Sequence, residues 1–323
     1  MAKSKAKPEN EIKVNASEDT ASAKYVPLPG DNEDVEAAKP EEIIKPKDNR
    51  WFCVRLCTKY DRSFLFALGF QYFNTGMSSM ITMAIQYMFL EILKIEPGHA
   101  TQLIAYSNLP WTPKLLYGII TDCLPICGSG KRAYVVLMGM FQSLSMLILF
   151  LFKIKSPGLV CLLATMQNLG GAFMDVVVDG MMVINSKSDP TGGSEDLQSY
   201  SWMFYGLGGI TGCGASALFL SGHDPVTGEA NGNPYPCFLM MTVFGGLVGI
   251  SGFFIDKKLE ANQGDLLKMG FKERTKFVFG EVWQGLKMKE IYSVALYMIV
   301  LGSFVPWFGT YLYYYQITVT GFE

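Results

Sequence analysis

The chain has 323 residues, 50% of them hydrophobic, with 27 Lys+Arg against 29 Asp+Glu and a formal net charge of −2. That balance excludes a typical nucleic-acid binder, which carries a basic surplus. Residues 1–62 hold 12 Lys/Arg and 12 Asp/Glu, leaving 15 and 17 for the other 261 positions. The body is therefore about 12% charged, half the ~25% of a soluble domain, which excludes an ordinary cytosolic enzyme and points to a membrane.

Residues 1–50 are rich in Lys, Glu, Asp, Pro and Ala. Such a segment cannot bury enough apolar area to fold, and a disordered tail is expected. It is too polar to be a signal peptide. Trp51 to Arg62 mixes aromatic and basic residues and suits a membrane interface. Apolar runs follow at roughly 64–93, 99–121, 134–152, 158–184, 199–221, 235–255 and 291–316. About 20 residues of helix cross a ~30 Å hydrocarbon core, and backbone in lipid must satisfy its own hydrogen bonds. Seven helical spans are expected.

With the amino terminus in the cytoplasm, 23 Lys/Arg fall inside and three (Lys94, Lys153 and Lys155) fall outside. The positive-inside rule selects that orientation. Residues 265–290 repeat Leu267, Phe271, Val278, Val282 and Leu286 at helical spacing. A helix on the inner leaflet and a loop helix against another domain both fit. The expected domains are a tail and juxtamembrane segment (1–62), a six-helix bundle (63–255), a cytoplasmic connection (256–290) and a seventh span opening an incomplete second half (291–323). Six spans, a basic connection and one more span suggest a six-plus-six transporter cut early in its second half.

Seven cysteines, an odd number, argue against a disulfide framework. Cys53 and Cys57 could be acylated, with unmodified thiols the plainer reading. Cys123-x3-Cys127 lacks further ligands for zinc, and His99 and His223 are too few for a metal centre. No catalytic residue, metal or cofactor is expected.

Four groups of residues could carry function. The first runs from Asn108 to Asp122 and on to Gly128-Ser-Gly-Lys-Arg132. Pro110 and Pro113 break a membrane helix, which is tolerated where neighbours or water satisfy the freed carbonyls. Lys114 lies inside the span. An unpaired Lys near the midplane costs at least ~2.5 kcal/mol, so it should face a cavity or a carboxylate; a shallow, snorkelling Lys is the alternative. Asp122 with Lys131 and Arg132 could latch two helix bundles, with Gly118 allowing close approach; a solvated loop of mixed charge is the alternative. The second is Asp175 and Asp179, four apart on one helix face in an apolar run. They read as a solute or proton carrier or as a static lock on Lys114. The third is the glycines of Gly208-x3-Gly212 and Gly245-x3-Gly249, read as packing seams. The fourth is aromatic: Phe70, Tyr72 and Phe73 in the first span, and Trp307, Tyr311, Tyr313, Tyr314 and Tyr315 in the last, able to stack on a flat solute or to face lipid.

The chain resembles the folate–biopterin transporter family of the major facilitator superfamily. Pro110-Trp111-x-x-Lys114-x-x-x-Gly118-x-x-x-Asp122-x-x-Pro125-x-x-Gly128 with Lys131-Arg132-x-Tyr134 carries the resemblance, and Asp175-Val-Val-Val-Asp179, Asp196-Leu-Gln-Ser199, Tyr313-Tyr-Tyr and Gly321-Phe322 add to it. It implies an all-α, polytopic, major-facilitator-type bundle of which this chain holds the first six-helix half plus one further span. It also implies alternating access and uptake of folates or pterins, often with protons. On that implication Lys114, Asp175 and Asp179 line the solute or proton path, and Gly118, Asp122, Lys131 and Arg132 form a cytoplasmic latch. The family's Glu-Arg pair after Asp179 is replaced here by Ile184 and Asn185. The expected protein is a multi-pass carrier, at the plasma membrane rather than an organelle, with a folate or pterin solute, protons and the lipid bilayer as partners. A truncated, non-transporting fragment or scaffold is the rival.

Overall fold

The computed structural model describes residues 51–319, apart from 127–128, 188, 190–191, 223–230, 256–268, 306–307, 310–311, 313–314 and 317–318. The expected tail over 1–50 and the aromatic candidates Trp307, Tyr311, Tyr313 and Tyr314 lie outside the described residues, as does the first part of the connection.

Ten α-helices occur among the described residues: α1 (Phe52–Lys59), α2 (Arg62–Tyr87), α3 (Pro97–Asn108), α4 (Lys114–Cys123), α5 (Arg132–Phe152), α6 (Pro157–Ser186), α7 (Gly193–Leu220), α8 (Tyr235–Phe254), α9 (Phe271–Lys287) and α10 (Lys289–Phe304). No strand occurs among them, and the chain is an all-α polytopic membrane protein. Four helices, α5 to α8, are long and apolar enough to cross a membrane. The expected first span is long enough as α2, which continues through a π-helical turn at Met88–Ile92. Gln71, Asn74, Thr75, Ser78, Ser79 and Thr82 dilute its hydropathy. The expected second span is two short helices, α3 and α4, separated by a 3₁₀ turn at Leu109–Trp111. The helix of the expected seventh span, α10, has 16 residues and buries none of them.

The helix ends follow local chemistry. Asp61 caps α2, its carboxylate accepting from the Ser63 and Phe64 amides at 2.8 and 3.1 Å, and α3 and α6 begin on Pro97 and Pro157, where the missing amide proton is not needed. The interfacial segment read from Trp51 to Arg62 contains a helix of its own, α1. Arg55 and Lys59 reach from it to Asp196 at 2.8 and 3.0 Å, and Lys59 also pairs with Asp189. Burial pulls the Lys59 ammonium down, but the two carboxylates outweigh it and hold its pKa above the usual range. A raised lysine pKa keeps this clamp charged at neutral pH and releases it only as pH climbs through that value.

α2 pairs most extensively with α7, and α5 with α8. Divide the bundle into α2, α3–α4, α5 and α6, α7, α8, and exchange the two units. The α2–α7 pairing maps onto α6 with α3–α4, and α5–α6 maps onto α8–α2.

Glycines permit the two tightest pairings. A Cβ on Gly208 would strike the Phe73 carbonyl, and one on Gly76 would strike the Tyr205 carbonyl. A Cβ on Gly139 would come within 2.5 Å of Gly249 Cα. The Gly208–Gly212 seam is as read from the sequence, whereas on α8 the tight positions are Gly249 and Gly252; Gly245 has ordinary room. Gly118 corrects a sequence expectation: a Cβ there would sit 3.7 Å from Val176, a normal contact, so the approach of α4 to α6 does not require glycine. Gly76→Ala should therefore destabilise the protein by about 1–3 kcal/mol through overpacking, while Gly118→Ala stays within about 0.5 kcal/mol; thermal unfolding in detergent compares them.

Candidate functional site

The site begins at the broken helix. Prolines 110 and 113 cannot donate backbone hydrogen bonds, which stops α3 and restarts the chain as α4. Side chains take over the freed carbonyls. Asn168 on α6 donates to the Ser107 carbonyl at 2.9 Å, and the Tyr117 hydroxyl donates to the Pro110 carbonyl at 2.8 Å. The Trp111 indole donates to Asn168 Oδ1 at 3.0 Å. One amide on α6 thus braces both the broken backbone and the indole that follows it.

Lys114, the first residue of α4, is aimed by this break at α6. Its ammonium lies 2.6 Å from Asp175 Oδ2 and 4.8 Å from the centroid of Trp111. The Asp175 side chain is 9% exposed and that of Lys114 41%, so the pair sits at a boundary between packed protein and open space. Beside it, Phe173 stacks between Tyr117 and Tyr134, with centroids 4.9 and 5.2 Å away, joining α4, α5 and α6. One turn after Asp175, Asp179 accepts a hydrogen bond from the Tyr72 hydroxyl on α2.

The open space is a cavity of about 680 Å³, within the range of small-molecule sites. Lys114, Asp175 and Asp179 all line it. So do Trp111, Trp202 and Tyr205, and a row of hydroxyls on α2: Thr75, Ser78, Ser79 and Thr82. Behind it, the Asn74 amide donates to Gln142 at 3.2 Å, a buried link between α2 and α5. A lining that is part aromatic, part polar and part charged can bind a flat polar solute. No group of His, Cys, Asp and Glu able to hold a metal occurs among the described residues.

The three residues read as the solute or proton path are thus brought together. The Lys114 ammonium meets both a carboxylate, Asp175, and the cavity. Phe73 lies apart: its ring packs on Phe244 at 5.5 Å, in a hydrophobic core cluster. The aromatic wall comes instead from Trp111, Trp202 and Tyr205. Tyr72, read from the sequence only as one of the first span's aromatic cluster, donates to Asp179 instead, and Asn168 escaped the sequence reading although it lies seven residues before Asp175 on the same helix. At the other end of α4, Asp122 and Arg132 are half-buried and Lys131 is buried, its ammonium occupying the place a Cβ on Gly180 would take. Arg274 on α9 is buried against this end, donating to the Cys123 carbonyl at 3.3 Å, and Val278 packs with Ile119 and Cys123. The connecting helix thus touches the bundle through Arg274 and Val278.

A family model described as the BT1 family matches residues 75–323. The chain is 31% identical over 160 residues to a probable folate-biopterin transporter 4 of Arabidopsis thaliana, covering 49% of this chain and 33% of that protein. It is 25% identical over 252 residues to a folate-biopterin transporter of Synechocystis, covering 78% and 48%. A folate transporter 2 of Plasmodium falciparum is 26% identical over 113 residues, covering 35% and 25%. At its widest the match spans about half the length of these curated relatives. No solved structure matches the chain.

Removing Lys114 leaves Asp175 buried without its partner. A fully buried pair broken in this way costs about 3–5 kcal/mol; with Lys114 partly exposed, about 1–3 kcal/mol is expected for Lys114→Ala. The double variant Lys114→Ala with Asp175→Ala should recover most of that loss in a thermal-stability cycle.

Proposed function

This chain belongs to the BT1 family, and from that premise we propose that it carries folate, biopterin or a related aromatic solute across a membrane by alternating access. The observation supporting this reading is the cavity that joins an ion pair, a second carboxylate and an aromatic wall in a chain built for lipid. No bond of the solute is made or broken. The helices from α2 to α8 act as one body, and solute binding shifts the balance between states open to opposite sides.

Asp179 is the proposed proton carrier. It faces the cavity and is held by one hydroxyl rather than by a cation. Lys114 and Asp175 form the lock beside it. Asp122, Lys131 and Arg132 serve as the latch at the far end of α4, with α9 fastened to the same end through Arg274. The asymmetry of basic residues supports a cytoplasmic side for the amino terminus and this latch, and the plasma membrane is the proposed location.

Cells expressing the chain should take up radiolabelled biopterin or folate faster at acidic external pH. Asp179→Asn should flatten that pH dependence without reducing surface expression. An unchanged pH profile would remove the coupling, and uptake no greater than in control cells would remove the carrier reading.

A further inference from the structure

We infer that the cavity recognises the amino-oxo edge of a pterin ring and does not hold the anionic glutamyl tail that distinguishes a folate. This inference rests on the carrier reading above and narrows it.

Charge is the first argument. Among the described residues lining the cavity, Lys114 faces two carboxylates, and its ammonium is already engaged by Asp175 at 2.6 Å. The lining therefore offers no uncommitted cation and carries one formal negative charge in excess. A solute carboxylate entering it would meet like charge. Lys131 lies behind Gly180 and is not part of the lining.

Hydrogen-bond polarity is the second. A hydroxyl has one proton and two lone pairs. Thr75, Ser78, Ser79 and Thr82 each donate to a backbone carbonyl of α2 itself, at 3.0, 3.4, 3.0 and 3.4 Å. Thr75 and Ser78 also accept from Gln71 and Gln167 at 3.3 and 3.5 Å, so what this row has left for a ligand is the remaining lone pairs. The hydrogen bonds of the two carboxylates engage Asp179 Oδ1 and Asp175 Oδ2, leaving one oxygen on each to accept. Asn108, Gln198 and Trp202 add N–H donors elsewhere in the lining, and the α2 hydroxyls with the two open carboxylate oxygens form an acceptor side that selects donors on a ligand. The 2-amino group and adjacent ring N–H of a pterin form two parallel donors that match a carboxylate, as a guanidinium fork does. Lys114 already lies over Trp111, so the edge-to-face pair Trp202–Tyr205, with centroids 5.2 Å apart, supplies the stacking surface.

Equilibrium binding of tritiated biopterin to the complete chain in lipid nanodiscs, read by scintillation proximity, tests this. Unlabelled biopterin and folate should displace the label. Lumazine, which carries an oxygen in place of the 2-amino group, should be at least about tenfold weaker. p-Aminobenzoyl-glutamate, the folate tail alone, should not compete at a hundredfold excess. Asp179→Asn should weaken biopterin about tenfold. Displacement by the tail as effective as by biopterin, or lumazine equal to biopterin, would overturn the inference while leaving the carrier reading in place. Binding of neither biopterin nor folate would overturn the carrier reading, and the inference with it. The competition series uses the unaltered chain, so it stands even if Asp179→Asn does not fold.

Discussion

A charge held in a low-dielectric interior must be paired or must border water, and the ion pair between Lys114 and Asp175 meets both conditions at once. Much of the site follows from how that pair is assembled. Two prolines end one helix and start another, so that a lysine at the first turn of α4 points across at α6. The freed carbonyls need donors, and Asn168 and Tyr117 supply them. With the helix interrupted, side chains from α2, α4, α6 and α7 surround a space that holds both carboxylates. Take away the break, and the lysine would need another route out of the apolar interior.

The rest of the bundle is packed more uniformly. Gly76 and Gly208 between α2 and α7, and Gly139 between α5 and α8, bring backbones together so closely that any side chain would collide. Without a hydrophobic driving force between helices in lipid, close van der Waals contact of this sort is what holds them. The α2 and α7 sides of the cavity belong to one of these close pairs, whereas α4 is short, broken at its start and gripped at its end by Arg274 and Val278 of α9.

Much of this was legible in the residues. Apolar run length located the helices because lipid leaves the backbone no other option, and the Pro110 and Pro113 break with Lys114 beyond it announced a polar cavity. Asp175 and Asp179 read as a shared face because their spacing is that of a helical turn. Other features were hidden for physical reasons. α1 is eight residues long and held by partners about 140 positions away, Asp189 and Asp196, which no local pattern reveals. Phe73 and Tyr72 are neighbours in sequence, yet one packs into the core and the other reaches Asp179, because successive helical residues point ~100° apart. A glycine in a membrane helix signals a close approach without naming its partner, which is why Gly118 looked like a seam and has room for a side chain.

The account depends on the cavity being wet. Single cysteines placed at Ser78 and Asn168 on its wall, and at Ile210 on the outer face of α7, can be tested with a membrane-impermeant thiol reagent after Cys53, Cys57 and Cys213 have been replaced by serine. Ser78→Cys and Asn168→Cys should be modified from one side of the membrane and protected by biopterin, while Ile210→Cys stays inert. If the two wall positions resist the reagent from both sides as completely as Ile210→Cys, the charged groups do not border a watery path and the carrier account is wrong.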